Sequence, residues 1–328
     1  MTFVASCGMA VYTEVSDEQI AAFVSGYTFG PVIATKGIAE GVENTNYLLI
    51  TEGRSFILTL YEKRVREADL PFFLALLEHL AARGVPCPTP VRGRDGEALR
   101  RLAGRPAAVF TFLRGMWPRR PNRDHCGAVG AALADLHLAS GSFAGDRPND
   151  LSVAGWRSLL ASVLGRRDAV SPDLVDELVA NLQAIEDRWP DALPWGIIHA
   201  DLFPDNVLFD HNEITGIIDF YFACSDFLAY DLAICLNAWC FAPDGSFDIG
   251  NGRSLLSAYS ARRPLTSLEI QSLPILCSGA ALRFALTRLF DWLNLPKNAL
   301  VSPKNPTEYV KKLRFHRGVG SASAYGFE

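Results

Sequence analysis

The strongest constraint on this chain is a change of pattern near residue 115. Before it, short apolar runs separated by tight turns read as strands. Residues 47–51 and 56–61 flank Glu52-Gly53-Arg54 as a hairpin would, and 107–113 reads as a further strand. A short helix is expected from Ser16, with Gln19 placed to complete a capping box. A second is expected after Asp69 as its cap, with Leu70, Phe73, Leu76, Leu77 and Leu80 on one stripe. It should end near Gly84, and the prolines at 86, 88 and 90 stop it resuming. Gly115, Pro118 and Pro121 then break the chain. Beyond them the spacing turns helical, at Val129, Leu133 and Leu136, after the cap Ser171-Pro172-Asp173, and over 273–293. Strand-like runs return only at 196–199, 206–209 and 214–219. The order predicts an α+β, bilobal layout: a small β-rich lobe over 9–113, a larger helical lobe over 114–328, and a cleft where they meet. Residues 1–8 read as a disordered extension.

Composition excludes several classes of function. With 49% hydrophobic and 20% charged residues in 328, the chain can bury a core without disulfides or metal. A net charge of −5 lacks the basic excess of nucleic-acid binders, and the cluster Arg114, Arg119, Arg120 and Arg123 reads as solvated surface. The seven cysteines are scattered, with no C-x-x-C pair, as expected of buried thiols in a reducing cytosol. No run approaches 18 uninterrupted apolar residues, and the first ten residues make a poor signal peptide. The expectation is a cytoplasmic protein with no membrane or nucleic-acid partner.

The chemistry is concentrated between 199 and 219. His199-Ala-Asp201 is followed by Asn206, five residues after the aspartate, and by Asp219 at the end of a strand-like run. This set suits phosphoryl transfer: Asp201 to orient and deprotonate an acceptor hydroxyl, Asn206 and Asp219 to offer oxygens to Mg²⁺ on ATP phosphates. His199 reads as a structural brace of the turn rather than a proton carrier. Asp231 reads as a cap of the following helix, with support of the loop as its secondary role. The stretch 36–47, with Gly41, Asn44, Thr45 and Asn46, is a candidate phosphate-covering loop, and Thr111 to Leu113 a candidate hinge for adenine. Competing signatures are missing: there is no G-x-x-x-x-G-K-[ST], no strand-linked G-x-G-x-x-G, no H-E-x-x-H and no G-x-S-x-G.

These residues resemble the homoserine kinases of the protein-kinase-like type, in the aminoglycoside phosphotransferase and choline kinase superfamily. The resemblance is carried by Glu43-Asn-Thr-Asn-Tyr47, Ile57-Leu-Thr-Leu-Tyr-Glu62, the 199–209 loop and Ile218-Asp-Phe-Tyr-Phe-Ala-Cys224, and extends through 230–233, 237–240 and 281–286. It implies a kinase-like fold, ATP and Mg²⁺, and L-homoserine as the acceptor, in threonine biosynthesis. Thr59 stands where kinases usually carry a phosphate-binding Lys, and the next helix offers Phe72, Phe73 and Leu74 where its Glu partner should be. Lys36 and Lys63 are the candidate replacements, and Thr59 is placed on the nucleotide side. Tyr221 and Arg283 are assigned to the substrate. For Arg283, in an apolar helix, a clamp on a substrate carboxylate and an ion pair with an Asp are equally open. The rival functions are another small-molecule kinase of this fold and a nucleotide-binding pseudokinase.

Overall fold

The computed structural model describes residues 13–38, 44–62, 65–166, 170–294 and 304–327. Gly41, Lys63 and residues 1–8 lie outside this set. The described residues form two compact units, one of residues up to Arg114 and one of residues from Gly115 onward.

In the first unit α1 (Asp17–Val24) opens on the capping box read from the sequence. The Ser16 hydroxyl accepts from the Gln19 amide, and the Gln19 side chain accepts from the Ser16 amide. Then follow β1 (Val32–Ile38), β2 (Asn44–Thr51), β3 (Ser55–Tyr61), α2 (Leu70–Ala81), β4 (Pro90–Val91), β5 (Arg100–Leu102) and β6 (Arg105–Thr111). The sheet is antiparallel, in the order β1-β2-β3-β6-β4 with β5 on β6. Because side chains alternate along a strand, Leu58 and Leu60 of β3 join Leu49 and Val109 in one core with Ile20, Phe23 and Val24 of α1. α2 buries the stripe that its spacing indicates, but its start differs from expectation. Asp69 stands at the N-cap but makes no side-chain capping bond; it closes a 3₁₀ turn (Glu67–Asp69), its carboxylate pairs with Arg66, and Pro71 sits in the first helical turn.

The second unit contains α3 (Arg123–Ser140), α4 (Val153–Leu164), α5 (Pro172–Glu186), β7 (Trp195–Ile198), β8 (Val207–Asp210), β9 (Glu213–Ile217), β10 (Cys224–Phe227), α6 (Leu228–Trp239), α7 (Ile249–Arg262), α8 (Ser267–Leu293) and α9 (Pro306–Arg317). The strands form two antiparallel pairs, β7 with β10 and β8 with β9. α8 begins six residues before the expected 273, because Thr266 and Glu269 form a capping box that carries the helix through Pro274. It packs against α4, α5, α6 and α9. It is also the one helix among the described residues long and apolar enough to cross a membrane, yet 89% of its most apolar window is buried within the protein, as in a core helix. The six described cysteines are buried and unbridged.

Candidate active site

The loop between β7 and β8 is held at almost every peptide. The His199 amide donates to Asp231 Oδ2 at 2.7 Å and the Ala200 amide to Asp231 Oδ1 at 2.9 Å. The Asp201 amide donates to His199 Nδ1 (3.2 Å), and the Asp201 carbonyl accepts from the Phe203 amide and from Asn206 Nδ2, both at 2.8 Å. Trp239 Nε1 donates to the Leu202 carbonyl at 2.8 Å. Ala200 sits in the left-handed region, at φ 62°. For a residue with a Cβ this costs about 1–2 kcal/mol, so the surrounding bonds must hold it there.

One of these partners acts differently from its first sequence reading. Asp231 does not cap its own helix: Phe227 occupies the N-cap, and the buried Asp231 carboxylate turns to the loop and to His137 Nε2 at 3.2 Å. Burial alone would raise this carboxyl; the hydrogen bond and charge of His137, with the His199 amide, outweigh it and hold it below the usual range. His199 is fully buried, and both ring nitrogens are engaged, Nδ1 accepting from Asp201 and Nε2 donating to the Ile218 carbonyl at 3.0 Å. Burial lowers its pKa, so the ring is neutral and in the Nε2–H tautomer.

Asn206 closes a 3₁₀ turn (Pro204–Asn206) and aims Nδ2 at Asp201, reaching its carbonyl and, at 3.3 Å, its Oδ2. That turns the Asn206 side-chain oxygen away from Asp201. The Asn206 carbonyl accepts from the Ile218 amide, tying the turn to the end of β9. There Asp219 takes φ 64° as the chain reverses into a second 3₁₀ turn (Phe220–Phe222), in which Tyr221 is half-buried. Among the described residues no three His, Cys, Asp or Glu side chains gather as a metal cluster. An amide oxygen and a carboxylate, both hard donors, fit Mg²⁺ that takes its remaining ligands from phosphate and water. Burial pushes the Asp201 carboxyl well above the usual range; Arg283 and Lys304 oppose the rise, while Asp219 and Asp205 add to it.

Arg283 does not make the ion pair with an Asp that the sequence leaves open. It is 1% exposed, and its Nη1 donates to the Ala200 carbonyl at 2.5 Å. No carboxylate pairs with it among the described residues, and its Nε is buried without a hydrogen-bond partner. Its guanidinium lies 4.5 Å from the centre of the Phe284 ring and 5.7 Å from that of Phe222.

The nucleotide-side candidates belong to the first unit. Asn44, Thr45 and Asn46 stand in β2, not in a loop, and Lys36 lies exposed in β1. Thr59 donates to Asn46 Oδ1 at 2.7 Å, Thr45 to Glu62 Oε1 at 2.9 Å, and Asn44 Oδ1 accepts from the Glu62 amide. β6 stops at Thr111, two residues short of expectation. The Thr111 amide and hydroxyl are bonded to Thr89, and the Phe112 amide to the Ser55 carbonyl, ahead of the half-buried Leu113.

A strained, closely bonded loop that presents Asp201, tied through Asn206 to the strand end before Asp219, has the order of residues seen in phosphotransferases of the kinase-like class. Solved structures share the fold. The amicoumacin kinase in complex with AMP-PNP and Ca²⁺ superposes with a TM-score of 0.67 at 16% identity, covering 92% of both chains. Spectinomycin phosphotransferase gives 0.65 at 12% identity, covering 96% of this chain and 98% of that one. Residues 34–265 match the phosphotransferase enzyme family. The homoserine kinase of Xanthobacter autotrophicus is 58% identical over 318 residues, and that of Methylobacterium nodulans 59% identical over 319, each alignment covering 97% of this chain and 99% of the relative. The chain belongs to the phosphotransferase enzyme family and, within it, to the homoserine kinases.

Proposed function

We propose that this protein transfers the γ-phosphoryl group of ATP to the side-chain hydroxyl of L-homoserine, releasing ADP and O-phospho-L-homoserine for threonine biosynthesis. The observation that carries the reading is the fixed Asp201–Asn206–Asp219 set in a chain 58% identical to a homoserine kinase over 97% of its length. Asp201 orients the acceptor hydroxyl and takes its proton as the bond to phosphorus forms. A carboxyl with a raised pKa suits that task better than an ordinary one. Asp219 and the Asn206 oxygen would hold Mg²⁺, which would supply positive charge against the triphosphate. His199 and Asp231 keep the loop in place, and Tyr221, in the turn after Asp219, is assigned to the acceptor.

On the nucleotide side, Asn46 with Thr59 and Thr45 with Glu62 satisfy one another by hydrogen bonds and fix the β2–β3 strands on which a nucleotide would rest. Leu113 is the hinge residue left to meet adenine. The same reading places the enzyme in the cytoplasm. An assay of ADP release with homoserine, choline, an aminoglycoside and no acceptor tests it, with homoserine-dependent release expected. Binding of ATP·Mg²⁺ without ADP release under any acceptor would favour a pseudokinase, the alternative that Thr59 in the usual Lys position raises.

A further inference from the structure

We propose that Arg283 is a positioning residue for phosphoryl transfer: from the middle of α8 it fixes the Ala200 peptide, and with it the direction in which the Asp201 carboxylate points. The proposal rests on the kinase reading above, and three observations carry it. The first is the bond itself. Arg283 Nη1 takes the Ala200 carbonyl at 2.5 Å while Asp231 takes the Ala200 amide at 2.9 Å, so both sides of a left-handed non-glycine residue are gripped. Asp201 is the next residue, and a rotation about Ala200 swings it directly.

The second observation is reach. The guanidinium also lies over the ring of Phe222, in the turn that follows Asp219. One side chain from α8 therefore contacts the segments carrying both the proposed base and the proposed metal ligand. The third is energetic. A buried guanidinium with no carboxylate partner and an unbonded Nε is a costly way to fill space. An apolar side chain of similar volume would pack there at lower cost. At 1% exposure Arg283 also has no open side on which a substrate carboxylate can form a two-pronged pair.

The test compares Arg283→Leu, Arg283→Lys and the double variant Arg283→Leu with Ala200→Gly, with rates expressed per folded molecule. Arg283→Leu should lower kcat by about 10²-fold, the scale of a catalytic group displaced by an ångström. The KM values for homoserine and ATP should stay near wild type. Arg283→Lys, which keeps a donor and a charge, should recover part of kcat. Adding Ala200→Gly to Arg283→Leu should also recover part of it, because glycine adopts positive φ without being held there. Hydrogen exchange over residues 198–202 should quicken in Arg283→Leu and slow again in Arg283→Lys, a reading that needs no acceptor. A rise in the homoserine KM at unchanged kcat would overturn the proposal in favour of a substrate clamp. A lower Tm with unchanged kcat and unchanged exchange would reduce Arg283 to a packing residue. If wild type phosphorylates an alcohol other than homoserine, the substrate reading fails, and the same comparison on that alcohol still decides the role of Arg283.

Discussion

At the scale of single residues the site separates two tasks, binding charge and placing a base, and substitution should separate them too. Asp219→Ala should abolish turnover and remove the Mg²⁺ dependence of ATP binding, read by titration with and without the metal. Normal turnover in that variant would move the metal site elsewhere. Asp201→Asn should leave ATP affinity nearly intact and lower kcat by about 10²–10⁴-fold, the usual contribution of a general base; a variant that lost ATP affinity at normal turnover would reverse the two roles. That these residues come together was legible in the sequence because they lie within about 20 positions on one strand–turn–strand segment. The rest of the site was not legible. Arg283 meets Ala200 across 83 positions and His137 meets Asp231 across 94. A backbone carbonyl has no residue type, so no spacing could announce it as the partner of Arg283. The capping role first read for Asp231 fails for a related reason: an Asp near a helix start ordinarily caps it, and only the tertiary fold turns this one to the loop it supports.

At the scale of elements, β3 offers a test of the proposal that Thr59 stands where kinases usually carry a phosphate-binding lysine. Thr59 is 4% exposed and bonded across the β2–β3 ladder to Asn46. Thr59→Lys should therefore break a satisfied pair and bury a cation without a carboxylate provided for it. We expect a lower Tm by thermal melting and no gain in kcat/KM; a clear gain would mean the site lacks, and accepts, the ordinary phosphate clamp. Strand and helix identities followed from periodicity wherever one face is buried, as in α2 and β3. Boundaries failed where local chemistry acts outside the pattern. The capping box at Thr266 extends α8 beyond its expected start, and Asn44 to Asn46 pair as strand although their polar run reads as a loop. α4, β4, β5 and β10 went unread altogether. β10 is only four residues long, and its partner β7 lies some 30 positions earlier, a pairing no local window contains.

At the scale of the whole molecule, buried imidazoles that resist protonation take stability away on the acid side, against buried carboxyls such as Asp201 whose raised pKa works the other way. His316 of α9 accepts from the Tyr325 hydroxyl at Nδ1 and donates from Nε2 to Asn237 Oδ1 of α6. Its burial lowers the folded-state pKa from 6.5 to about 3. Below pH 6.5 the unfolded chain takes up a proton that the folded protein refuses. The contribution is thus complete above that pH and declines towards pH 3, by about 1.4 kcal/mol per unit for one such group. His199, lowered in the same direction, adds to the slope. Melts at pH 7, 6 and 5 should show Tm falling, and His316→Gln, which can keep a donor and an acceptor, should flatten the fall; equal slopes would remove His316 from the account. The long apolar α8 also bears on how the chain is made. When it emerges during synthesis, α4, α5 and α6 have already been translated, and α9 starts 13 residues after α8 ends. A segment greasy enough to be mistaken for a membrane anchor therefore meets three of its four helical neighbours as it appears, and the order of translation itself shortens the time it spends sticky and open to aggregation.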